Sequence, residues 1–567
     1  MQITISKEFR KKTIETVLAI LLFLIVYSLL ILAAILLTIL CCYIAFVIVT
    51  GIKGIIGFPL GLGMASVGFF VLYYLFKFLF VRNKVDRSHL IQVFEYDEPE
   101  LMSMIKEIAD KVDTKYPKAV YLSADVNASV IYDSSFWSMF FPVRKNLIIG
   151  MGLINTVSKN ELKAILAHEF GHFSQSSMKI GSYVYHVNHI IYSLLYENPN
   201  DKKQLDNYVD SSPILSVFRQ ISMNIIEGIQ GIMRGVYNVV NRSYMRLSRE
   251  MEFHADAIAA NVTGSDALIN SLRRMSLSDY SFNNVIGYYQ SKMEDAYITE
   301  NIYPQQFFVM EHFAKNDNIP FKNHLPIFNN DHIKKYNKSK LIIINQWASH
   351  PETEDRVSAL QSLGFTDPKI EDELSLTYFR DIEKYQKLLS AIIFQNAEYT
   401  KPTTTISTSG FIEDFNKVIN KHLHPEIYNG YYDQQSPMLQ KDLDLTHATN
   451  STLEELYSSE KTELFYEYNS LIQDIDVVTQ IANGTIKIKS FEYDGHKQTL
   501  ENCLELLNGM RSRSQVLEKK MKENEQNIHQ FFKSLAEQIN HTATLAKSLS
   551  SYEKVLNENE AVIALYN

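Results

Sequence analysis

The hydrophobic pattern opens with a run from Val17 to Val49 that contains no charged residue, followed from Ile55 to Phe80 by a second apolar run interrupted only by Lys77. A bilayer core takes about 20 apolar residues per helix, so each run predicts a membrane span, and the first has residues to spare for tilting or protruding. Gly51, Gly54, Gly57, Pro59, Gly61 and Gly63 punctuate the join and mark a hairpin turn. A cleaved signal peptide would be shorter and would not lead into a second span, so the hairpin is expected to persist as an anchor.

After the hairpin the pattern turns periodic. Ser158 and Glu161 have the spacing of a capping box, in which each side chain satisfies the other residue's backbone amide, and they predict the start of a helix. Leu162, Ile165, Leu166 and Phe170 then recur at helical spacing. From Ile214 to Leu247 the pattern is again helical and amphipathic, but Arg219, Glu227 and Arg234 interrupt it too often for a third span. A Thr/Ser-rich stretch from Thr403 to Ser409 reads as a linker. From Leu500 onward, apolar residues such as Leu504, Leu507, Leu517, Met521, Ile528 and Leu535 recur mostly at steps of three, four or seven, which predicts a long helix or coiled coil. A helix around Leu453 to Ile481 of the same chain could cover that stripe, and so could a second copy or a protein partner.

Charge orients the hairpin. Lys7, Arg10, Lys11 and Lys12 precede the first span and Lys77, Arg82, Lys84 and Arg87 flank the end of the second, against Lys53 alone in the turn. The positive-inside rule places both ends in the cytoplasm, with everything after about residue 84 on that side, at the inner membrane if the cell is bacterial. The three cysteines, Cys41, Cys42 and Cys503, form no disulfide framework, in keeping with a reducing compartment. With 55 basic against 64 acidic residues, the net charge of -9 gives no reason to expect nucleic acid as a partner. A length of 567 residues exceeds one ordinary core.

Candidate chemistry lies on the helix that follows Ser158. His168 and His172 stand four apart and share a face that can grip one zinc ion, while Glu169 between them can take a proton from a metal-bound water. A catalytic zinc normally has three protein ligands and one open position. Downstream, Glu252 offers a carboxylate, with Asp256 one helical turn later where it could accept the spare N–H of a ligating histidine. Glu250 remains a rival by spacing alone. His254, two residues past Glu252, would point elsewhere on a helix. His186 and His189 invite a second metal, but no carboxylate stands near them at ligand spacing, and they read as an interface among tyrosines.

Glu252-Phe253-His254-Ala255-Asp256 resembles the E-x-x-A-D element of HtpX-type and type I CAAX prenyl protease-type zinc peptidases. Leu147 to Ile154 is similar to the strand leading into that family's zinc helix, and Ser349-His350-Pro351 with Arg356 is similar to its S/T-H-P-x-x-x-x-R element. Asn127-Ala128-Ser129 resembles the family's substrate-edge segment, with Ser129 in place of an aromatic residue. The resemblance spans about residues 90–365 and the hairpin. It implies an α+β, mainly helical gluzincin fold with one Zn²⁺ per chain on His168, His172 and Glu252, and it disfavours Glu250. It also implies that Glu169 is the catalytic base, that Asp256 supports a ligand, that His350 orients substrate or stabilises the oxyanion, and that Arg356 holds local structure. The expected organisation is a tail and two transmembrane helices (1–84), a zinc metallopeptidase domain (85–365) and a helical C-terminal domain with coiled-coil character (366–567). The expected activity is hydrolysis of peptide bonds in membrane or membrane-adjacent proteins, in proteolytic quality control. A catalytically silent or latent zinc scaffold recruiting partners through its C-terminal helices is the alternative, and CAAX-type processing is disfavoured because two spans make no enclosing chamber.

Overall fold

The computed structural model describes residues 6–52, 56–76, 82–83, 86–131, 134–135, 145–172, 187, 213–329, 332, 338–342, 351–366, 372–395, 397–422, 424–433, 435–438, 450–486 and 490–566. They form two compact units, Met1–Ile327 with Asn345–Ser409, and Phe328–Ile344 with Gly410–Asn567.

The first unit begins with α1 (Lys7–Gly51) and α2 (Gly57–Phe76), both long and apolar enough to cross a membrane. The Ser6 hydroxyl caps α1 by accepting from the Phe9 amide at 2.9 Å. The two helices approach closely at glycines: a Cβ on Gly61 would lie 2.4 Å from Val49, and one on Gly68 would lie 2.5 Å from Thr38. Such small-residue contacts hold helices together where no water drives their association.

A four-stranded sheet follows, built from β1 (Ile91–Val93), β2 (Val120–Ser123), β3 (Ala128–Ile131) and β4 (Asn146–Gly150) in the order β1-β2-β4-β3. β2 and β4 are parallel, and the outer strands run antiparallel to them. Val120, Leu122, Leu147 and Ile149 fill its core face, alternating along the strands as a half-covered sheet requires. Helix α3 (Pro99–Lys111) packs against α4 (Lys159–Gly171), which starts at the expected capping box: the Glu161 amide donates to Ser158 Oγ at 3.2 Å, and the Ser158 amide to Glu161 Oε2 at 2.8 Å.

The amphipathic stretch from Ile214 and the carboxylate motif at Glu252 belong to one helix, α5 (Pro213–Thr263), of 51 residues. Its N-terminal half buries Ile226, Ile229, Met233, Val236 and Val240 against Ala19 and Phe23 of α1 and Val71 and Leu75 of α2. Helices α6 (Ser265–Ser291), α7 (Tyr303–Asn316), α8 (Thr353–Leu363) and α9 (Ile382–Gln395) complete the unit. It runs on past residue 365 to Ser409 because later residues are hydrogen-bonded into it. Ser375 Oγ donates to the Ile154 carbonyl at 2.6 Å, and the Lys159 amide donates to the Glu373 carbonyl at 2.7 Å. Inside the stretch expected as a linker, Thr404–Thr405 pairs in parallel with Tyr297–Ile298.

In the second unit, α10 (Ser459–Ala482) lies along α11 (Cys503–Gln538), and α12 (Thr542–Tyr566) follows. Leu471, Val478 and Ile481 of α10 bury Cys503, Leu507, Met510 and Leu517 of α11, so this part of the apolar stripe is covered within the chain. Further along α11, Glu525 is buried among Tyr431, Tyr432 and Tyr457. It accepts from the Tyr432 hydroxyl at 3.2 Å and the Met438 amide at 3.1 Å.

Candidate metal centre

Two helices bring the candidate ligands together. α4 presents His168 and, one turn on, His172 at its C-terminal cap, and α5 presents Glu252. The helices meet at Gly171, where a Cβ would sit 3.2 Å from the Ala255 Cα, so a larger residue there would push the ligands apart. His168 Nε2 lies 3.4 Å from Glu252 Oε2 and His172 Nε2 lies 3.4 Å from Glu252 Oε1. The two Nε2 atoms are 3.2 Å apart, and the ligand atoms of all three residues fall within 4.8 Å of one another. Two imidazole nitrogens and a carboxylate oxygen converging on one point form a donor set suited to zinc.

A second layer holds this cluster. His168 Nδ1 is 2.8 Å from Asp256 Oδ1, which places its Nε2 toward Glu252. Arg356 grips the same carboxylate with two bonds, Nε to Oδ2 at 2.8 Å and a terminal nitrogen to Oδ1 at 2.6 Å. Its other terminal nitrogen is 3.9 Å from Glu252. Burial opposes charging His168, yet the hydrogen bonds it donates to the Asp256 and Glu252 carboxylates raise its pKa to about 9 in the absence of metal. Burial would likewise raise Asp256, but Arg356 and His168 outweigh it and hold the carboxyl below the ordinary range. Glu169 is half-buried and is pushed up by burial, partly offset by the two histidines. With both histidines neutral, as ligation of a metal requires, Glu169, Glu252 and Asp256 face one guanidinium, leaving two negative charges for a divalent cation to balance.

The other candidate residues are dispersed. Ala128 and Ser129 lie on β3, the outer strand of the sheet, with exposed Asn127 just before it, and β3 contacts α4. His350, His186 and His189 lie outside the described residues. The His254 ring packs 5.8 Å from that of Phe9, at the start of α1, and His254 is not among the three clustered ligand residues. Two long-range contacts had no sequence signal, although the resemblance had named Arg356 as holding local structure. Arg274 on α6 is the largest fully buried side chain among the described residues and binds Glu161 Oε2 at 2.6 Å, tying the start of the histidine helix to α6. The double grip of Arg356 on Asp256 spans 100 residues of sequence, and no local pattern encodes it.

Residues 95–363 match the family model described as Peptidase family M48. Over this stretch, just under half of its length, the chain is similar to M48 peptidases. Its curated relatives include Protease HtpX of Vibrio parahaemolyticus, 26% identical over 171 residues, which is 29% of this chain and 52% of that protein. Protease HtpX of Wigglesworthia glossinidia brevipalpis is 26% identical over 241 residues, covering 40% of this chain and 76% of that protein. A Protease HtpX homolog of Sulfurihydrogenibium is 24% identical over 277 residues, covering 47% and 75%. The chain spans about half the length of the first of these relatives. No solved structure matches it. The stretch similar to M48 peptidases follows two helices long and apolar enough to cross a membrane.

Proposed function

We propose that the protein is a zinc-dependent endopeptidase that cleaves membrane or membrane-adjacent proteins from the cytoplasmic side of its anchor, in proteolytic quality control. The observation that carries this reading is the convergence of His168, His172 and Glu252 with Glu169 one residue from the first ligand. These three residues would hold one Zn²⁺, with Asp256 and Arg356 fixing the His168 ring. When bound, the ion supplies Lewis acidity at the scissile carbonyl and lowers the pKa of a water beside it to about 7. Glu169 takes the proton from the attacking water on its carboxylate oxygen and returns it to the leaving amine. The outer edge of β3 offers backbone groups to an extended peptide, which would lie as an added strand beside Asn127, Ala128 and Ser129. His350 is proposed to orient that peptide or stabilise its developing oxyanion.

The test is cleavage of an unfolded protein in detergent by wild type and Glu169→Gln. Loss of cleavage with zinc retained in the variant supports the reading, whereas retained cleavage removes Glu169 from the mechanism. Zinc without cleavage in wild type would favour a silent scaffold instead.

A further inference from the structure

Helix α1 is longer than a membrane span requires. Its 45 residues run about 68 Å at about 1.5 Å per residue, against a bilayer core of about 30 Å, and the excess includes a polar stretch, Lys7 to Lys12, ahead of the apolar run. Phe9 is the only apolar residue between Ser6 and Thr13. A lone aromatic in so polar a stretch would ordinarily be exposed, yet Phe9 is 3% exposed, because it is buried with Leu247 and Met251 of α5 and its ring lies 5.8 Å from that of His254. The Ser6 cap fixes the backbone at this point, since the amide that donates to the Ser6 hydroxyl is that of Phe9.

The socket for Phe9 lies behind a metal ligand. Leu247, Met251 and His254, at steps of four and three, share one face of α5. Glu252 and Asp256 share another, roughly 150° around the helix at 3.6 residues per turn. On that side α4 approaches, with Gly171 against Ala255 and His168 bonded to Asp256. The turn of α5 that carries Glu252 is therefore held from two sides, by the histidine helix and by Phe9.

Among the described residues, the buried apolar cluster on the Phe9 side consists of Phe9, Leu247 and Met251. It is separate from the larger cluster that joins α1 to α5 through Ala19, Phe23, Val236 and Val240. Between the two, Thr16 Oγ1 donates to the Ser243 carbonyl at 3.2 Å, so α1 stays in contact with α5 up to the ligand turn. Truncating Phe9 would leave Leu247 and Met251 facing a cavity, and a turn that relaxes into a cavity moves away from α4.

We propose that Phe9 is a positioning residue for the metal centre, through which the N-terminal end of the first apolar helix seats Glu252 against His168 and His172. The proposal rests on the assignment of those three residues as the metal site. The two Glu252 oxygens each lie 3.4 Å from a histidine nitrogen, so a shift of the α5 turn changes both distances at once. The Phe9 ring acts only through α5.

The experiment compares full-length wild type, Phe9→Ala, Phe9→Leu and Phe23→Ala in detergent, at a temperature well below unfolding. Phe23 is the control, the same residue type on the same helix, 2% exposed, in the cluster remote from Glu252. Phe9→Ala is expected to weaken zinc binding about tenfold in competition with a chelator, the lower end of what a lost supporting contact costs. Phe9→Leu, which keeps most of the apolar volume, should recover most of that loss. Phe23→Ala should lower the unfolding midpoint as much as Phe9→Ala does, yet keep zinc affinity within about twofold of wild type. In zinc-free protein, hydrogen exchange of the amides from Met251 to Asp256 should quicken in Phe9→Ala and not in Phe23→Ala. Equal zinc affinity in wild type and Phe9→Ala, or equal losses in Phe9→Ala and Phe23→Ala, would overturn the positioning role. A wild type that binds no zinc would defeat the metal reading instead, and the exchange comparison would still decide whether Phe9 holds the ligand turn, with unchanged exchange in Phe9→Ala counting against it.

Discussion

Asp256→Asn isolates the support layer of the metal centre. Asp256 receives one bond from His168 at 2.8 Å and two from Arg356 at 2.8 and 2.6 Å, and it is 1% exposed. Asparagine keeps the size and, with its oxygen at the Oδ1 position, the bond from His168, but its amide then meets Arg356 Nε, which can only donate, so that bond is lost together with the negative charge that holds and polarises the His168 ring. Loss of a second-layer partner costs about 10–100-fold in metal affinity, or about 1.4–2.7 kcal/mol. Competition for zinc against a chelator of known affinity at fixed pH measures this directly, with circular dichroism as the control for folding. A variant that folds normally and binds zinc within twofold of wild type would refute the claim that Asp256 orients His168.

Further outcomes follow from buried charges elsewhere. Arg274→Met leaves Glu161 with its buried carboxylate uncompensated, and should lower stability in chemical denaturation by about 3–5 kcal/mol; a change under about 1 kcal/mol would contradict the role given to the pair. Burial raises the Glu525 carboxyl above its ordinary range, so its protonated form stabilises the fold fully below the unfolded pKa, and that contribution is lost as pH rises through the folded value. Hydrogen exchange of α11 amides should therefore quicken from acid to neutral pH more in wild type than in Glu525→Gln, and identical pH profiles would contradict this. Gly171→Val should force α4 away from α5 and abolish zinc binding, and a variant that still binds zinc would show that the close approach is dispensable.

What the sequence revealed and what it hid divide along physical lines. Local patterns were legible. The charge-free runs gave α1 and α2, the Ser158–Glu161 box gave the start of α4, and the covered stripe of α11 showed in its apolar spacing. The spacing of His168, Glu169 and His172 placed them on one helix, and the resemblance at Glu252 named the partner that the structure brings to 3.4 Å. Contacts between distant segments were not legible. Arg274 and Arg356 act on residues roughly 100 positions away; nothing in its neighbours distinguishes Arg274 from a surface arginine, and the resemblance that named Arg356 did not name Asp256 as its partner. The stretch around Thr404 has linker composition yet pairs with Tyr297–Ile298, because two backbone strands need no special side chains to bond. Likewise, the polar residues of α5 obscured its place beside the hairpin, since hydropathy averages over all faces of a helix.

Zinc per chain, measured on purified wild type and Glu252→Ala after dialysis against a zinc buffer, tests the metal centre most directly. One zinc per chain in wild type and little in Glu252→Ala is expected, because two imidazoles alone leave the site short of a ligand and of negative charge. Equal zinc in both proteins, or none in wild type, would contradict the assignment of His168, His172 and Glu252 as the metal site.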